Sequence, residues 1–289
     1  MRAQFLGTAA SEGYPNPFCG CDNCRRAQEL GGPNLRKRSS LLIDGELLID
    51  LGPDVLAAAQ MHGIALTGIR YCLQTHEHDD HLHPALLLAR SPYCGVLDAP
   101  LLHFYATQGT LDRAIGAIDH VATLGLGEAC ARLNLAIHSI EPFQTFTVGP
   151  YRVDAVLAAH DPTLTPLLYI IERDSRSLFY ATDTCPLPER TWASLQAWGG
   201  RFDVVIMDHT FGYGPPPPQH LNGEQFLGMT ARLREVGLLA DDARVYATHI
   251  AHHGNPVHDE LVAHAAKHGY LVAHDGLTIT IENCRPEDR

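Results

Sequence analysis

Apolar residues along this chain come in short dense runs broken by turn-forming residues, with helical periodicity in only a few places. The run "AQFLGT" (3–8) predicts a strand that ends at Gly7. A stretch rich in Gly, Pro and Cys follows to about residue 38 and reads as a loop. "SSLLIDGELLIDLG" (39–52) predicts two strands about a tight Asp-Gly turn. "PDVLAAAQMHG" (53–63) has Pro early and Gly at its end, the asymmetry of a helix. "GIRYCLQT" (68–75) is expected to be a buried strand, and "HLHPALLLAR" (81–90) a helix. Residues 95–150 alternate strand-like and helix-like pieces. Strands are expected at "YRVDAVLAAH" (151–160), "LLYIIERDSRSLFYATD" (167–183) and "FDVVIMD" (202–208), the middle one folding back around "RDSR". "GEQFLGMTARLREVGLL" (223–239) has the periodicity of a helix. Strand "RVYATH", helix "HDELVAHAAKHG" and a pair of strands around "DGLTITI" complete the order. Paired strands, interspersed helices and strands again predict an α/β (α+β) fold of two packed sheets with helices outside. No repeat or long linker divides the chain, and 289 residues suit one domain, 1–289.

The strand boundaries carry the chemistry. His160, Asp183, Asp208 and His249 each close an apolar strand, and His76 follows the strand at 68–75. Polar groups on loops at strand ends, held by a rigid sheet, are a common way to assemble a site. The loop "THEHDDH" (75–81) packs three histidines and two aspartates into seven positions. A core cannot take so many ligating groups without partners. His76 and His78 are two apart, so in extended backbone both reach one cation. Asp80 and His81 project differently and could hold a second. His160 would complete the first site and His249 the second, with Asp183 bridging through its two oxygens. Mixed imidazole and carboxylate ligation suits Zn, Mn or Fe.

Composition narrows the partners. The formal net charge is −12, and only "LRKR" (35–38) clusters cations, which argues against long nucleic acid. No run of 18 apolar residues exists, so no membrane span is expected. "MRAQFLGTAASEGYP" lacks the apolar stretch of a signal peptide, and a cytoplasmic protein is expected. Nothing in the sequence decides between a monomer and a homodimer. The chain holds 18 histidines against 21 Lys and Arg together, an excess that favours metal ligation.

Of the cysteines at 19, 21, 24, 72, 94, 130, 185 and 284, three fall within "CGCDNC". In a reducing compartment such a cluster reads as metal binding before disulfide. Cys19, Cys21 and Cys24 leave one position of a tetrahedral zinc site open. His252, three residues beyond His249, is the candidate for that place, with His253 beside it. A closed four-ligand zinc has no position for substrate and would tie the loop at about 9–38 to the wall of the site.

"HEHDDH" (76–81) resembles the H-x-H-x-D-H signature of the metallo-β-lactamase superfamily, and His160, Asp183 and His249 match its later ligands in order. The resemblance implies a four-layer αββα sandwich with two divalent metals at one edge of the sheets. "LGTAASEGYPNPFCGCDNC" with "RKRSSLLID" is similar to the PhnP-type phosphodiesterases, which pair a Cys-x-Cys-x-x-Cys hook with a histidine three residues past the last metal ligand. Those enzymes act on phosphoribosyl cyclic phosphate. The resemblance implies hydrolysis of a small, cyclic phosphodiester, such as a phosphoribosyl cyclic phosphate or a nucleotide, by a hydroxide generated at the metals. It also gives His220, in "PPPPQHLNGEQF", a catalytic role beside Asp80. From the residues alone, His220 is a lone histidine after a stiff proline run. Asp208 is expected to orient a ligand histidine from behind. Arg36, Lys37 and Arg38 could attract a terminal phosphate or form a solvated basic turn. The same N-terminal stretch resembles PqqB of pyrroloquinoline quinone biosynthesis, although PqqB-type chains do not keep the full H-x-H-x-D-H motif. A PqqB-like metalloprotein that performs an oxidation, or an acyl hydrolase of the same fold, are the alternatives.

Overall fold

The computed structural model describes residues 1–282; Cys284 lies outside the described residues. Among the described residues, fourteen strands form two seven-stranded sheets. The first is built from β1 (Arg2–Gly7), β2 (Ser40–Ile43), β3 (Leu47–Ile49), β4 (Tyr71–Leu73), β5 (Leu102–Ala106) and β6 (Leu135–Ser139). The second contains β7 (Thr145–Val148), β8 (Tyr151–Leu157), β9 (Leu167–Arg173), β10 (Arg176–Ala181), β11 (Phe202–Asp208), β12 (Leu239–Thr248) and β13 (Leu271–Val272). The last strand, β14 (Thr278–Thr280), returns to the first sheet and pairs with β1. The sequence pattern predicts a terminal pair here; instead β13 extends the second sheet beside β12. Two short apolar runs carry no information about which sheet edge each will meet.

Each sheet changes character along its width. β14-β1-β2-β3 pair antiparallel, whereas β3-β4-β5-β6 run parallel. β7-β8-β9-β10 are antiparallel and β10-β11-β12-β13 parallel. The parallel halves need crossovers, and these supply the helices. Helices α2 (Val55–His62), α3 (Ala85–Ala89), α4 (Gln108–Gly116) and α5 (Leu126–Leu133) cover the first sheet, burying Val55, Leu86, Leu111 and Leu133 against Leu48, Cys72 and Phe104. Helices α1 (Asp22–Leu30), α6 (Glu189–Trp198), α7 (Gly223–Glu235) and α8 (His258–His268) cover the second, through Ala27, Trp192, Phe226 and Leu261. Between the sheets lies a third cluster of Leu41, Ile49, Leu73, Tyr169, Leu178 and Ile206.

Period-2 alternation sorts the strands into these layers. In β10, Leu178 and Tyr180 face the inter-sheet core while Phe179 and Ala181 face the helices. In β11, Val204 and Ile206 face inward while Val205 and Met207 face outward. Both faces are buried, which is why these strands read as continuous apolar runs. The result is the four-layer αββα arrangement, with helices outside two packed sheets. α1 was not anticipated: the Cys-rich stretch contains a nine-residue helix, started by Cys21, whose Sγ accepts from Cys24 N at 3.4 Å. Among the described residues, no helix is long and apolar enough to cross a membrane.

Candidate metal centre

Strand after strand delivers a polar group to one edge of the sandwich. β4 leads into His76–His81, β8 into His160, β10 into Asp183, β11 ends on Asp208 and β12 leads into His249. These are carboxyl ends, and they converge. His76, His78 and His160 form one group in which all ligand atoms lie within 4.8 Å of one another. Asp80, His81, Asp183 and His249 form a second group on the same criterion. Asp183 joins them: Oδ2 is 3.8 Å from His76 Nε2, and Oδ1 is 3.2 Å from His249 Nε2.

Hydrogen bonds behind the rings decide which nitrogens face inward. His160 Nδ1 donates to the Gln219 carbonyl at 2.9 Å, so its Nε2 carries a lone pair. Thr75 Oγ1 donates to Asp50 Oδ1 at 2.8 Å and therefore accepts from His76 Nδ1 at 2.9 Å. That leaves His76 Nε2 unprotonated. His78 Nε2 lies 3.3 Å from Asp161 Oδ2, which turns Nδ1 inward. The three inward nitrogens stand close together, His78 Nδ1 being 3.0 Å from His76 Nε2 and 3.1 Å from His160 Nε2. Three lone pairs at such range repel unless a cation lies among them. His81 Nε2, Asp183 Oδ2 and His249 Nε2 are likewise buried and make no regular hydrogen bond, facing only one another across the donor group. A buried polar atom without a partner costs free energy, about 1–3 kcal/mol each. These donors, imidazoles and carboxylates held in place from behind, fit the divalent metals that the resemblance to the metallo-β-lactamase superfamily implies.

The electrostatics follow the same division. Burial, with the neighbouring His81, holds His76 well below the usual imidazole range. Burial also opposes charge on His81, but the carboxylates of Asp183, Asp80 and Asp50 outweigh it and push the ring upward. Burial would raise Asp183, yet His249 and His81 hold it well below the carboxylate range. Asp80 is lowered in the same way by His81 and His249.

His220 lines the cavity in front of these groups, a space of about 550 Å³. Its Nδ1 lies 3.0 Å from Asp208 Oδ2 and 3.3 Å from Asp183 Oδ1. Burial disfavours its charge, but Asp208 and Asp183 outweigh this and raise it to about 9. Asp208 therefore does not stand mainly behind a ligand histidine as expected. It is 3.8 Å from His249 Nδ1, which instead meets Thr210 Oγ1 at 2.8 Å. The other Asp208 oxygen accepts from Thr210 N and Leu221 N, both at 3.0 Å, and so clamps the loop that carries His220.

Sequence reasoning missed Asp50. It is fully buried at the end of β3, where Oδ2 accepts from His81 Nδ1 at 2.7 Å and Oδ1 accepts from Thr75 N at 2.8 Å. Gln74 Nε2 ties it to the backbone of the histidine loop, donating to Asp50 Oδ1, His76 O and His81 O. The pattern that identified the other residues, an apolar strand closed by a polar one, also holds for "LLID" before Leu51. Asp50, Asp183 and His249 share a further feature, φ values of 65°, 51° and 58°. Non-glycine residues rarely adopt this region, and those that do cluster at functional sites. Gly52 belongs to the same corner: a Cβ there would stand 2.5 Å from the Asp80 carbonyl.

The cysteine hook is a separate cluster. Ligand atoms of Cys19, Cys21, Cys24 and His252 lie within 4.8 Å of one another. Cys21 Sγ is 3.5 Å from His252 Nδ1. Burial opposes ionisation of Cys21, but the Cys24 backbone N–H and the His252 ring bring its thiol down to about 6. Burial pushes Cys24 up to about 12. Asn23 Nδ2 donates to His252 O and Asn255 O, both at 2.9 Å, locking α1 to the loop after β12. His253 points elsewhere, with Nδ1 3.3 Å from Glu12 Oε1. The cations of the basic turn are engaged by the protein itself. Arg36 is buried and donates to Thr8 Oγ1, Lys37 pairs with Asp275, and Arg38 pairs with Asp54.

Comparison with known proteins agrees with this architecture. A coenzyme PQQ synthesis protein B from Azoarcus sp. is 25% identical, over 97% of this chain and all of that protein. Among solved structures, a diphosphatase of the PhnP family superposes with a TM-score of 0.74 at 24% identity, covering 97% of this chain and 98% of that one. Zinc-bound PqqB from Methylobacterium extorquens gives the same TM-score, 0.74, at 23% identity over 97% of this chain and 100% of its own. The family described as the beta-lactamase superfamily domain matches residues 46–250, from β3 through the loop after β12. That span includes both donor groups and the strands that present them, and the chain belongs to this family.

Proposed function

We propose that this chain is a metal-dependent phosphodiesterase that hydrolyses a small, cyclic phosphodiester. The observation that carries the reading is the convergence of seven metal-ligating side chains at one sheet edge, in front of a cavity with His220 on its wall. His76, His78 and His160 would hold one divalent cation, and Asp80, His81 and His249 a second, with Asp183 shared between them. Zn, Mn and Fe all suit this donor set. When bound, such metals activate water near neutral pH and withdraw charge from phosphoryl oxygens.

The chain's own groups supply the rest. Asp208 accepts from His220 Nδ1 and fixes the tautomer, which leaves Nε2 as the group that faces substrate. From there His220 would deliver a proton to the leaving oxygen as the phosphorus–oxygen bond breaks. Asp50 holds His81 and, through Thr75, His76, so that neither ring reorganises during turnover. In the hook, Cys19, Cys21, Cys24 and His252 would bind a structural zinc that braces the loop carrying His249. The test is phosphorus NMR of the metal-loaded protein with ribose and nucleoside cyclic phosphates. Ring opening is expected, and its loss in Asp80→Ala. Protein that holds its metals yet opens no phosphodiester would contradict the reading.

The likeness to PQQ synthesis protein B over 97% of the chain favours one second reading, an oxidative step in cofactor biosynthesis. It predicts consumption of dioxygen and no phosphodiester turnover.

A further inference from the structure

A second cavity, of about 310 Å³, lies away from the metal centre in the helix layer over the first sheet. Leu48 of β3, Cys72 of β4 and Leu102 of β5 form its floor. Val55 of α2 and Leu86 of α3 stand at its sides, and the segment 96–100 forms its rim. Protein interiors pack as densely as organic crystals and leave few voids larger than a water molecule. This space is about ten times the share of one water in the liquid. It is the size of a small-molecule site, about 300–1,000 Å³. Apolar walls give water no hydrogen-bond partners, so such a cavity favours an apolar occupant.

Its polar lining is sparse. Thr67 and Asp98 are exposed, where water answers them. Arg90 is different: it is half-buried at the end of α3. Its Nη1 donates to the Asn134 carbonyl at 3.1 Å and its Nη2 to the Pro100 carbonyl at 2.6 Å. These acceptors are neutral and take two of the five guanidinium N–H groups. Burial holds Arg90 below the usual guanidinium range, although such a group stays charged at any ordinary pH. Among the described residues no carboxylate pairs with it, Asp98 included. Burial also keeps the Cys72 thiol on the cavity floor protonated. A positive charge therefore stands at the wall of an apolar space with no anion opposite it. The ligand that answers both features has an apolar body and one negative charge. A planar carboxylate matches the edge of a guanidinium. A phosphate monoester would bring a charge of about −1.5 to −2, more than one arginine balances.

We propose that this cavity binds a small apolar monocarboxylate, such as a medium-chain fatty acid, with its carboxylate on Arg90 and its chain between α2, α3 and the sheet. None of its lining residues belongs to the donor groups, so the inference does not rest on the phosphodiesterase reading. The test is calorimetric titration of the full-length, metal-loaded protein with octanoate, octanol and octylammonium. Octanoate is expected to bind once per chain, about tenfold or more tightly than octanol, the scale of a hydrogen bond to a charged group. Octylammonium should bind more weakly still. Arg90→Met keeps the apolar stem and loses the charge, so octanoate should fall to the level of octanol; Arg90→Lys should keep part of the preference. Ala89→Phe puts a ring into the cavity from α3 and leaves Arg90 in place, so it should abolish binding of octanoate and octanol alike. Thermal melts confirm that each variant is folded. A carboxylate can also coordinate the catalytic metals, so octanoate is titrated into Asp80→Ala as well, where unchanged affinity is expected. Binding lost in Asp80→Ala and kept in Ala89→Phe would put octanoate on the metals and overturn the inference. Equal affinity for octanol, tighter binding of octylammonium, or no binding of octanoate to the unmodified protein overturns it too. So does a dimer that excludes octanoate and dissociates in Leu97→Asp, which would give this face to a second copy of the chain.

Discussion

Asp50 touches no substrate-facing space, yet two histidines of the cluster take their orientation from it. Asp50→Asn keeps the shape but can set an amide N–H against His81 Nδ1–H. Metal affinity is expected to fall about 10–100-fold, the usual cost of losing a carboxylate behind a metal-bound histidine. Calorimetric titration of the metal-free variant checks this, and an unchanged affinity would contradict it. His258 makes a prediction of a different kind. Burial, then the charges of Arg36 and His274, hold it at about 4, below the ordinary value of 6.5. Above pH 6.5 the ring is neutral in both folded and unfolded chains, so it adds no pH dependence there. As pH falls from 6.5 towards 4 the unfolded chain takes up a proton that the folded chain refuses, and stability drops. Gln at 258 can still accept from Arg36 Nη2 but does not titrate. His258→Gln should therefore show a shallower loss of stability over this window in urea melts at stepped pH. The donor residues themselves were legible in the sequence, because four ligating side chains crowd the loop at 75–81 and His160, Asp183 and His249 each follow an apolar strand. Their supports were not. Thr210, Gln219 and Thr75 are ordinary loop residues until the fold sets them behind a ring.

At the scale of elements, the strands were the readable part. Runs such as "LLYII" and "FDVVIM" are apolar on both faces because both faces are buried; β11 ends at Asp208 as expected, whereas β8 stops at Leu157 and β10 at Ala181, short of His160 and Asp183, and β12 begins at Leu239, inside the run expected to be helical. α1 was hidden. Gly, Asp, Asn and Cys at its start are weak helix formers, and the helix exists because Cys21 caps it and Ala27 packs into the core beneath α6, α7 and α8. The split between β13 and β14 was hidden for another reason, since a two- or three-residue strand takes its partner from tertiary packing. The hook joins α1 to the wall of the site, which sets a third prediction. Cys24, fully buried, should be indispensable to the zinc, whereas Cys94 is exposed and far from it. Cys24→Ser is expected to lose one equivalent of zinc and to lower Tm by about 3–5 °C, the effect of roughly 2–3 kcal/mol in a domain of this size. Cys94→Ser should change neither. Full zinc content in Cys24→Ser would show that the four donors do not act as a set.

For the whole molecule, the two sheets repeat one plan: antiparallel strands at one side, parallel strands at the other, and helices over the outer face. Both send the carboxyl ends of their parallel strands to the same edge. The first sheet contributes the histidine loop and Asp50; the second contributes Asp183, Asp208 and His249. A site assembled this way leaves unsatisfied donors at the junction of the sheets. Metal should stabilise the folded chain as any ligand specific to it does, by about 4 kcal/mol at a thousandfold excess over Kd. The general order of strands and helices announced this architecture, while the meeting of the two edges rests on packing that periodicity cannot express. The measurement that tests the account most directly is a titration of metal-free protein, its hook already loaded with zinc, with Mn²⁺ or Zn²⁺. Cyclic phosphodiester opening and thermal stability are followed at each addition. The account predicts that both rise together and level off at about two equivalents, one for each donor group. Protein that binds the metals and gains stability but never opens a phosphodiester, or consumes dioxygen instead, would contradict it.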